Sequence, residues 1–196
     1  MIRLSLVLAA SLMMLGGCDS GQESAAQRVS APDDDGAPPL PGEIVRTEAG
    51  TPIPAMTFTD PSGAELDTAD LGGTPVLLNL WATWCAPCVV EMPMLDALAA
   101  EMDGKLKVLT ISQDVRGAEL VEPFFAQRDF QYLEPWLDED ADLSAALNDS
   151  GLMPLTVLFD AQGREVFRVA GGYEWDSEEA VAEISEELAA SSVSAE

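Results

Sequence analysis

Two cysteines three positions apart constrain this chain more than any other feature of its sequence. Cys85 and Cys88 lie in the run Trp84-Cys85-Ala86-Pro87-Cys88, after the apolar residues 76–80 and before a helical pattern. A thiol in the first turn of a helix faces unpaired backbone N–H groups and the positive end of the helix dipole, which favour its thiolate form. Pro87 suits that turn, because its fixed φ is already helical and its missing N–H loses no hydrogen bond. The spacing predicts a redox-active disulfide, with Cys85 as the nucleophile and Cys88 as the resolving thiol.

Two other roles are open to this pair. A structural disulfide across so small a loop would contribute only about 2 kcal/mol to stability, compared with about 3 kcal/mol for a loop of roughly 15 residues. A zinc site requires four ligands. The chain has three cysteines and no histidine, so carboxylates would have to complete that shell. The sequence therefore favours a redox pair that uses neither a metal nor a cofactor.

The N-terminus offers an explanation for the third cysteine. A short positive start, Met1-Ile2-Arg3, precedes the apolar residues 4–15, a run too short to span a bilayer. This run ends in Leu15-Gly16-Gly17-Cys18, which resembles the bacterial lipobox. The resemblance implies a signal peptide over residues 1–17, a lipid attached to Cys18, and retention in the inner membrane through Asp19. An ordinary cleaved signal and an uncleaved anchor are the alternatives.

Composition divides the rest of the chain. Residues 18–50 are rich in Gly, Ser, Ala, Asp and Pro, which predicts a lipidated, disordered tether with a reach of about 30 Å. Residues 51–190 are long enough for one domain with its own core, and residues 191–196 are predicted to be a disordered tail. The 35 acidic residues outnumber the nine basic ones, so the chain should repel nucleic acid and anionic lipid headgroups and attract basic partners at low salt. Solubility or adaptation to a salty medium is the simpler explanation of this acidity.

Apolar periodicity predicts alternating strands and helices within the domain. Strands are expected at residues 53–58, 65–66, 76–81, 107–111, 155–159 and 165–169, of which the first two and the last two form hairpins. Helices are expected at residues 86–102, 119–128 and 141–147, and from Asp176 or Ser177 to about residue 188. This alternation indicates an α/β fold with a layered sheet.

The order of these features resembles the thioredoxin fold: a strand, Trp-Cys-x-x-Cys, a helix containing Pro93, and Gly151-Leu152-Met153-Pro154 before a hairpin. More narrowly, residues 79–88 together with Glu91-Met92-Pro93 resemble the TlpA/ResA/CcmG-like thiol–disulfide oxidoreductases. The resemblance covers nearly the whole domain. It implies a thioredoxin-like fold with a central mixed β-sheet flanked by helices and an N-terminal β-hairpin extension.

The same resemblance assigns roles to residues around the cysteines. Pro154 aligns with a cis-proline that faces the active-site disulfide, so we predict a cis peptide bond there; a trans proline opening a strand is the alternative. Asn79 falls where thioredoxins have a buried acid, and Glu91 follows Cys88 by three positions on the same helical face. A partly buried Glu91 with a raised pKa could take the Cys88 proton. A solvated helical glutamate is the alternative.

The aromatic residues near the cysteines are divided between two roles. Trp84 is predicted to line a substrate groove and Trp81 to lie in the core. The aromatic segment 171–176 is assigned no role, because packing explains it as well as a position on the rim of the site does.

The implied function is thiol–disulfide exchange by a protein lipid-anchored to the outer face of the inner membrane, in the bacterial periplasm. A monomer is expected to reduce disulfide-containing client proteins, apocytochrome c or copper-site cysteines, with electrons from a membrane thiol donor. A thiol oxidase or isomerase is the rival enzyme, since the potentials of thioredoxin folds span about −270 to −120 mV. A Cu(I) or haem chaperone that binds through the dithiol is the rival of another class. The close Cys-x-x-Cys pair disfavours a peroxidase.

Overall fold

An eight-stranded mixed sheet organises residues 42–193, the part of the chain that the computed structural model describes. In chain order its strands are β1 (Glu43–Val45), β2 (Thr57–Thr59), β3 (Glu65–Asp67), β4 (Val76–Trp81), β5 (Lys107–Ser112), β6 (Trp136–Leu137), β7 (Leu155–Phe159) and β8 (Glu165–Ala170). The helices are α1 (Ala86–Glu101), α2 (Ala118–Ala126), α3 (Asp142–Leu147) and α4 (Glu178–Val193). Across the sheet the strands follow the order β1-β8-β7-β4-β5-β6-β2-β3. The predicted α/β class and mixed central sheet are confirmed.

Strand β4 is the centre of the sheet and separates two cores. It pairs parallel to β5 and antiparallel to β7, and every residue along it is buried. On one face, Leu77 and Trp81 pack with residues of α1, α2 and α4. On the other face, Leu78 and Leu80 pack with residues of α3. Burial on both faces explains why the strand is a continuous apolar run broken by the single polar residue Asn79.

Helix α1 begins directly at the cysteine pair. Cys85 is its N-cap residue, and Pro87 occupies the first turn, where a proline loses no hydrogen bond. The helix buries one side against the sheet through Met92, Leu95 and Leu98. It ends one residue before its predicted end, and the chain then turns through residues 102–106, where Gly104 adopts a positive φ of 73°.

The N-terminal hairpin is confirmed. Strands β2 and β3 pair antiparallel around a turn in which the Asp60 carboxylate accepts hydrogen bonds from the backbone N–H groups of Ser62 and Ala64. The first strand is shorter than the predicted range 53–58. Strand β6, which the sequence did not predict, joins this hairpin to the central sheet by pairing with both β5 and β2.

Both predicted boundaries of the domain need correction. The predicted tether reached residue 50, but β1 pairs antiparallel with β8 and Ile44 packs against the core. Arg46 then forms ion pairs with Glu183 and Glu187 of α4, which fix the chain to the domain. At the other end, α4 continues to Val193, so the predicted disordered tail is wrong for residues 191–193.

The predictions for residues 1–41, which comprise the signal peptide, the lipid on Cys18 and most of the tether, lie outside the described residues. Among the residues that are described, no helix combines the length and the apolar character needed to cross a membrane.

The pairing of the central strands gathers several loops at one edge of the sheet. Trp81 at the end of β4 pairs with Ser112 at the end of β5, and Leu80 pairs with Leu155 at the start of β7. Leu155 also pairs with Ala170 at the end of β8. The loops that leave this edge span residues 82–85, 113–117, 150–154 and 171–177. The cysteine pair therefore lies where these loops converge.

Candidate active site

Cys85 and Cys88 form a disulfide at the start of α1. The Cys85 sulfur accepts a hydrogen bond from the backbone N–H of Cys88 at 3.3 Å. Cys85 retains 6% of its surface exposed, whereas Cys88 is fully buried. An incoming sulfur atom therefore reaches Cys85 first, and this order of accessibility supports Cys85 as the nucleophile and Cys88 as the resolving thiol.

The loop before Cys85 is held by a buried carboxylate that the sequence analysis did not single out. Asp114, on the loop after β5, accepts hydrogen bonds from the backbone N–H of Thr83 at 2.8 Å and from its hydroxyl at 2.7 Å. The Ser112 hydroxyl donates to the same carboxylate at 2.9 Å. Because the Cys85 N–H also bonds to the Ala82 carbonyl, Asp114 anchors the turn that presents the nucleophile. Its signal in the sequence was a polar run directly after a buried strand.

Pro154 lies immediately before β7, at the edge where the disulfide loop leaves the sheet. The peptide bond between Met153 and Pro154 is cis, which confirms the prediction. Pro154 is buried, and its carbonyl accepts a hydrogen bond from the Gly171 N–H at 2.8 Å. Gly171 has a φ of 93°, a conformation that favours glycine.

Glu91 is fully buried, one helical turn after Cys88. Its Oε1 accepts a hydrogen bond from the Asn79 side-chain amide at 2.7 Å. Its Oε2 accepts hydrogen bonds from the Tyr173 backbone N–H at 3.2 Å and from the Trp175 indole N–H at 3.3 Å. The alternative of a solvated helical glutamate is therefore wrong, since the carboxyl group lies inside the protein.

The environment of Glu91 changes its proton affinity. Burial raises the pKa of its carboxyl group from 4.5 to about 8, because the ionised form loses its hydration. The hydrogen bonds from Asn79, Tyr173 and Trp175 oppose this shift, since they stabilise the carboxylate. A carboxyl group with such a pKa exchanges its proton readily near neutral pH, as a general base must.

Asn79 connects Glu91 to the neighbouring strand. Its side-chain amide lies at 2.9 Å from the Thr156 hydroxyl of β7 in addition to its contact with Glu91. The residue is fully buried on β4. Asn79, which falls where thioredoxins have a buried acid, thus contacts the glutamate that is predicted to take the Cys88 proton.

The tryptophans beside the cysteines lie in different environments. Trp81 is fully buried and packs against Phe124 of α2 with ring centroids 4.7 Å apart, which confirms its core position. Trp84 is 67% exposed next to Cys85. Val115 and Leu152, on two other loops of this sheet edge, are also exposed. The structure thus places three exposed apolar side chains on loops of this sheet edge, and the role of Trp84 in a substrate groove stays a prediction.

The described residues 42–193 contain no cluster of three or more His, Cys, Asp or Glu side chains with the arrangement of a metal site. The reactive groups that the structure brings together here are the two sulfur atoms of Cys85 and Cys88 and the carboxyl group of Glu91.

A disulfide that caps a helix at the edge of a mixed sheet places this chain among the thioredoxin-like thiol–disulfide oxidoreductases. The Redoxin family matches residues 48–184, and the chain belongs to that family. It is similar to the thiol-disulfide oxidoreductase ResA of Bacillus cereus, with 30% identity over 64% of this chain and 72% of the relative. It is also similar to the thiol:disulfide interchange protein DsbE of Pseudomonas fluorescens, with 36% identity over 63% of this chain and 67% of that protein.

Solved structures agree with this placement. The crystal structure of a secreted disulfide oxidoreductase from Mycobacterium tuberculosis has a TM-score of 0.53 and 26% identity, covering 69% of this chain and 96% of that one. Together the comparisons confirm the predicted family and enzyme class. The protein is a thiol–disulfide oxidoreductase of the ResA/DsbE type with a Cys-x-x-Cys pair.

Proposed function

We propose that this protein reduces disulfides in client proteins outside the cytoplasm. The observation that carries the proposal is the arrangement of three groups along the first turns of α1: accessible Cys85, buried Cys88, and buried Glu91 one turn further on. This order provides a nucleophile, a resolving thiol and a proton acceptor for the resolving thiol.

The reaction begins with the reduced pair. The Cys85 thiolate attacks one sulfur of the client disulfide, so that a Cys85–client bond forms, the client bond breaks, and one client thiolate leaves. The Glu91 carboxylate then takes the Cys88 proton. The Cys88 thiolate attacks the Cys85 sulfur and releases the second client sulfur, which takes a proton from water. The client gains two electrons, Cys85 and Cys88 become a disulfide, and a thiol donor must restore the dithiol.

The groups around Cys85 favour reduction of client disulfides over oxidation of client thiols. A strongly oxidising pair owes its potential to stabilisation of its reduced form, which contains a thiolate. Here Ala86 and Pro87 between the cysteines carry no charge, and the chain has no histidine. The loop two residues before Cys85 is bound by the Asp114 carboxylate, and a negative charge disfavours a nearby thiolate. The helix dipole of α1 opposes this effect.

The reduction potential tests the direction of exchange. We expect the Cys85–Cys88 pair of a protein lacking residues 1–18 to equilibrate at or below about −220 mV in glutathione or dithiothreitol buffers. Fluorescence of Trp84, which adjoins the disulfide, can report the redox state. A value near about −120 mV would make the protein an oxidant of client thiols, as a thiol oxidase or isomerase is, and would overturn the proposal.

The proposed location follows from the N-terminal sequence and from the kind of relatives. A lipid on Cys18 after removal of residues 1–17 would hold the protein at the outer face of the inner membrane, with residues 19–41 as the tether. Membrane attachment would place it near a membrane thiol donor. Apocytochrome c and copper-site cysteines are the proposed clients, because both must be reduced before they can bind haem or metal.

Replacing the lipidation site tests this anchor. Cys18→Ser should move the protein from the membrane fraction to the soluble fraction and remove the mass of the acyl chains, because the apolar residues 4–15 are too short to span a bilayer. Cys85→Ser, which leaves Cys18 in place, is the matched control and should remain with the membrane. Membrane retention of the Cys18→Ser protein would contradict the lipid anchor.

A further inference from the structure

The segment of residues 171–175, here called the rim segment, connects two parts of the site, the Pro154 loop and the Glu91 carboxylate. Its Gly171 N–H donates to the Pro154 carbonyl at 2.8 Å. Its Tyr173 N–H and Trp175 indole N–H both donate to Oε2 of Glu91, at 3.2 and 3.3 Å. Trp175 is almost fully buried, so its indole is fixed beside the carboxylate rather than sampling solvent.

The two oxygens of Glu91 differ in the partners they face. A backbone N–H and an indole N–H can only donate hydrogen bonds, so neither can accept a proton carried on Oε2. Oε1 faces the Asn79 amide, which has an acceptor as well as a donor. Within the described residues the Asn79 Oδ1 is buried and has no hydrogen-bond partner. A half turn of that amide would therefore present an acceptor to a protonated Oε1.

We infer that the Trp175 indole N–H, together with the Tyr173 backbone N–H, is a positioning group that holds Oε2 of Glu91 as an acceptor and directs the Cys88 proton to Oε1. This inference deepens the proposed function and rests on it, because it assumes that Glu91 accepts that proton. Trp175 touches neither client nor sulfur in this role; it acts through Glu91. The rim segment thereby sets the pH at which Cys88 can resolve the mixed disulfide.

Among the described residues, few ionisable groups lie beside Glu91 and could titrate together with it. On its own helix the ionisable neighbour is Cys88, one turn earlier. From β4 and β7 the site receives Asn79 and Thr156, which are neutral. From the rim segment it receives a backbone N–H and an indole. The phenol of Tyr173 has a raised pKa through burial and through Glu179, Glu183 and Glu174, so it is neutral in the working range.

The test is the pH profile of mixed-disulfide release in single-turnover reduction of a synthetic peptide closed by one disulfide, with the reduced full chain in detergent and saturating peptide. Trp175→Phe keeps an aromatic ring but removes the donor. We expect the midpoint of the profile to rise by about one pH unit and the rate at pH 7 to fall about tenfold. Trp136→Phe is the matched control, since the indole of Trp136 on β6 donates to the Glu134 carboxylate and its loss should leave the midpoint unchanged.

Glu91→Gln separates failure of the inference from failure of the proposed function. If Glu91→Gln retains the wild-type profile, Glu91 is not the proton acceptor and both claims fall. If Glu91→Gln abolishes the dependence while Trp175→Phe keeps the wild-type midpoint, the inference alone is overturned. Should Trp175→Phe fail to fold, 3-benzothienylalanine at position 175 replaces the N–H by sulfur in a ring of nearly the same shape, and the same shift is expected.

Discussion

Cys88→Ser is expected to arrest the protein as a covalent adduct with its client, whereas Cys85→Ser should abolish client reduction. Cys85 is the accessible sulfur and Cys88 is fully buried behind it. Without Cys88 the first exchange still occurs, but nothing attacks the Cys85–client bond. Without Cys85 the bond to the client does not form, so the rate should fall by on the order of 10³-fold or more.

Non-reducing electrophoresis and mass spectrometry measure this prediction directly. A reduced Cys88→Ser protein mixed with a disulfide-closed peptide should gain the mass of that peptide, and dithiothreitol should release it. Cys18→Ser retains both active-site thiols and serves as the control that reduces the peptide without a lasting adduct. Reduction at the wild-type rate by Cys88→Ser, with no adduct, would assign the two sulfurs other roles.

The regular part of the fold follows from the sequence because its signals are local and repeated. Strand β4 is buried on both faces and is therefore a continuous apolar run, and its predicted range 76–81 matches the structure. The hairpin of β7 and β8 has a turn sequence between two apolar runs. Strands β1 and β6 have three and two residues, too few for a periodicity, and their partners lie far away in the chain.

In the candidate site, too, the contacts between residues close in sequence could be predicted, and those between distant residues could not. Cys85, Cys88 and Glu91 lie within two turns of one helix, so their spacing alone places them together. Asp114 is hydrogen-bonded to Thr83, 31 positions away in the sequence, and Trp175 is hydrogen-bonded to Glu91, 84 positions away. Residue type does not indicate such contacts. Whether Glu91 was solvated or buried could not be decided from α1 itself, because the rim segment and Asn79, both remote in sequence, provide its surroundings.

Glu91→Gln should change the pH dependence of stability by on the order of 4 kcal/mol between pH 5 and pH 9. The pKa of Glu91 is about 8 in the folded protein, compared with 4.5 as its ordinary value. Between these values the folded state binds a proton that the unfolded state has released, so the stability of the oxidised wild-type protein falls as pH rises. The contribution is fully present below about pH 4.5 and lost above about pH 8. A glutamine does not titrate, and the variant lacks this loss.

Urea unfolding of the oxidised proteins at several pH values measures the effect as the difference in the free energy of unfolding between variant and wild type. That difference cancels the titration of the other carboxyl groups and should shift in favour of Glu91→Gln as pH rises. Glu101→Gln, at the exposed end of the same helix, is the matched control and should give a flat difference.

In the reduced protein the same Glu91→Gln change should slow release of the mixed disulfide by about 10²-fold or more, because Cys88 loses its proton acceptor. If the stability difference is flat and the release rate is unchanged, Glu91 neither titrates as a buried group nor acts as the base. If both measurements shift, the proton that Cys88 loses is taken by this one buried carboxyl group.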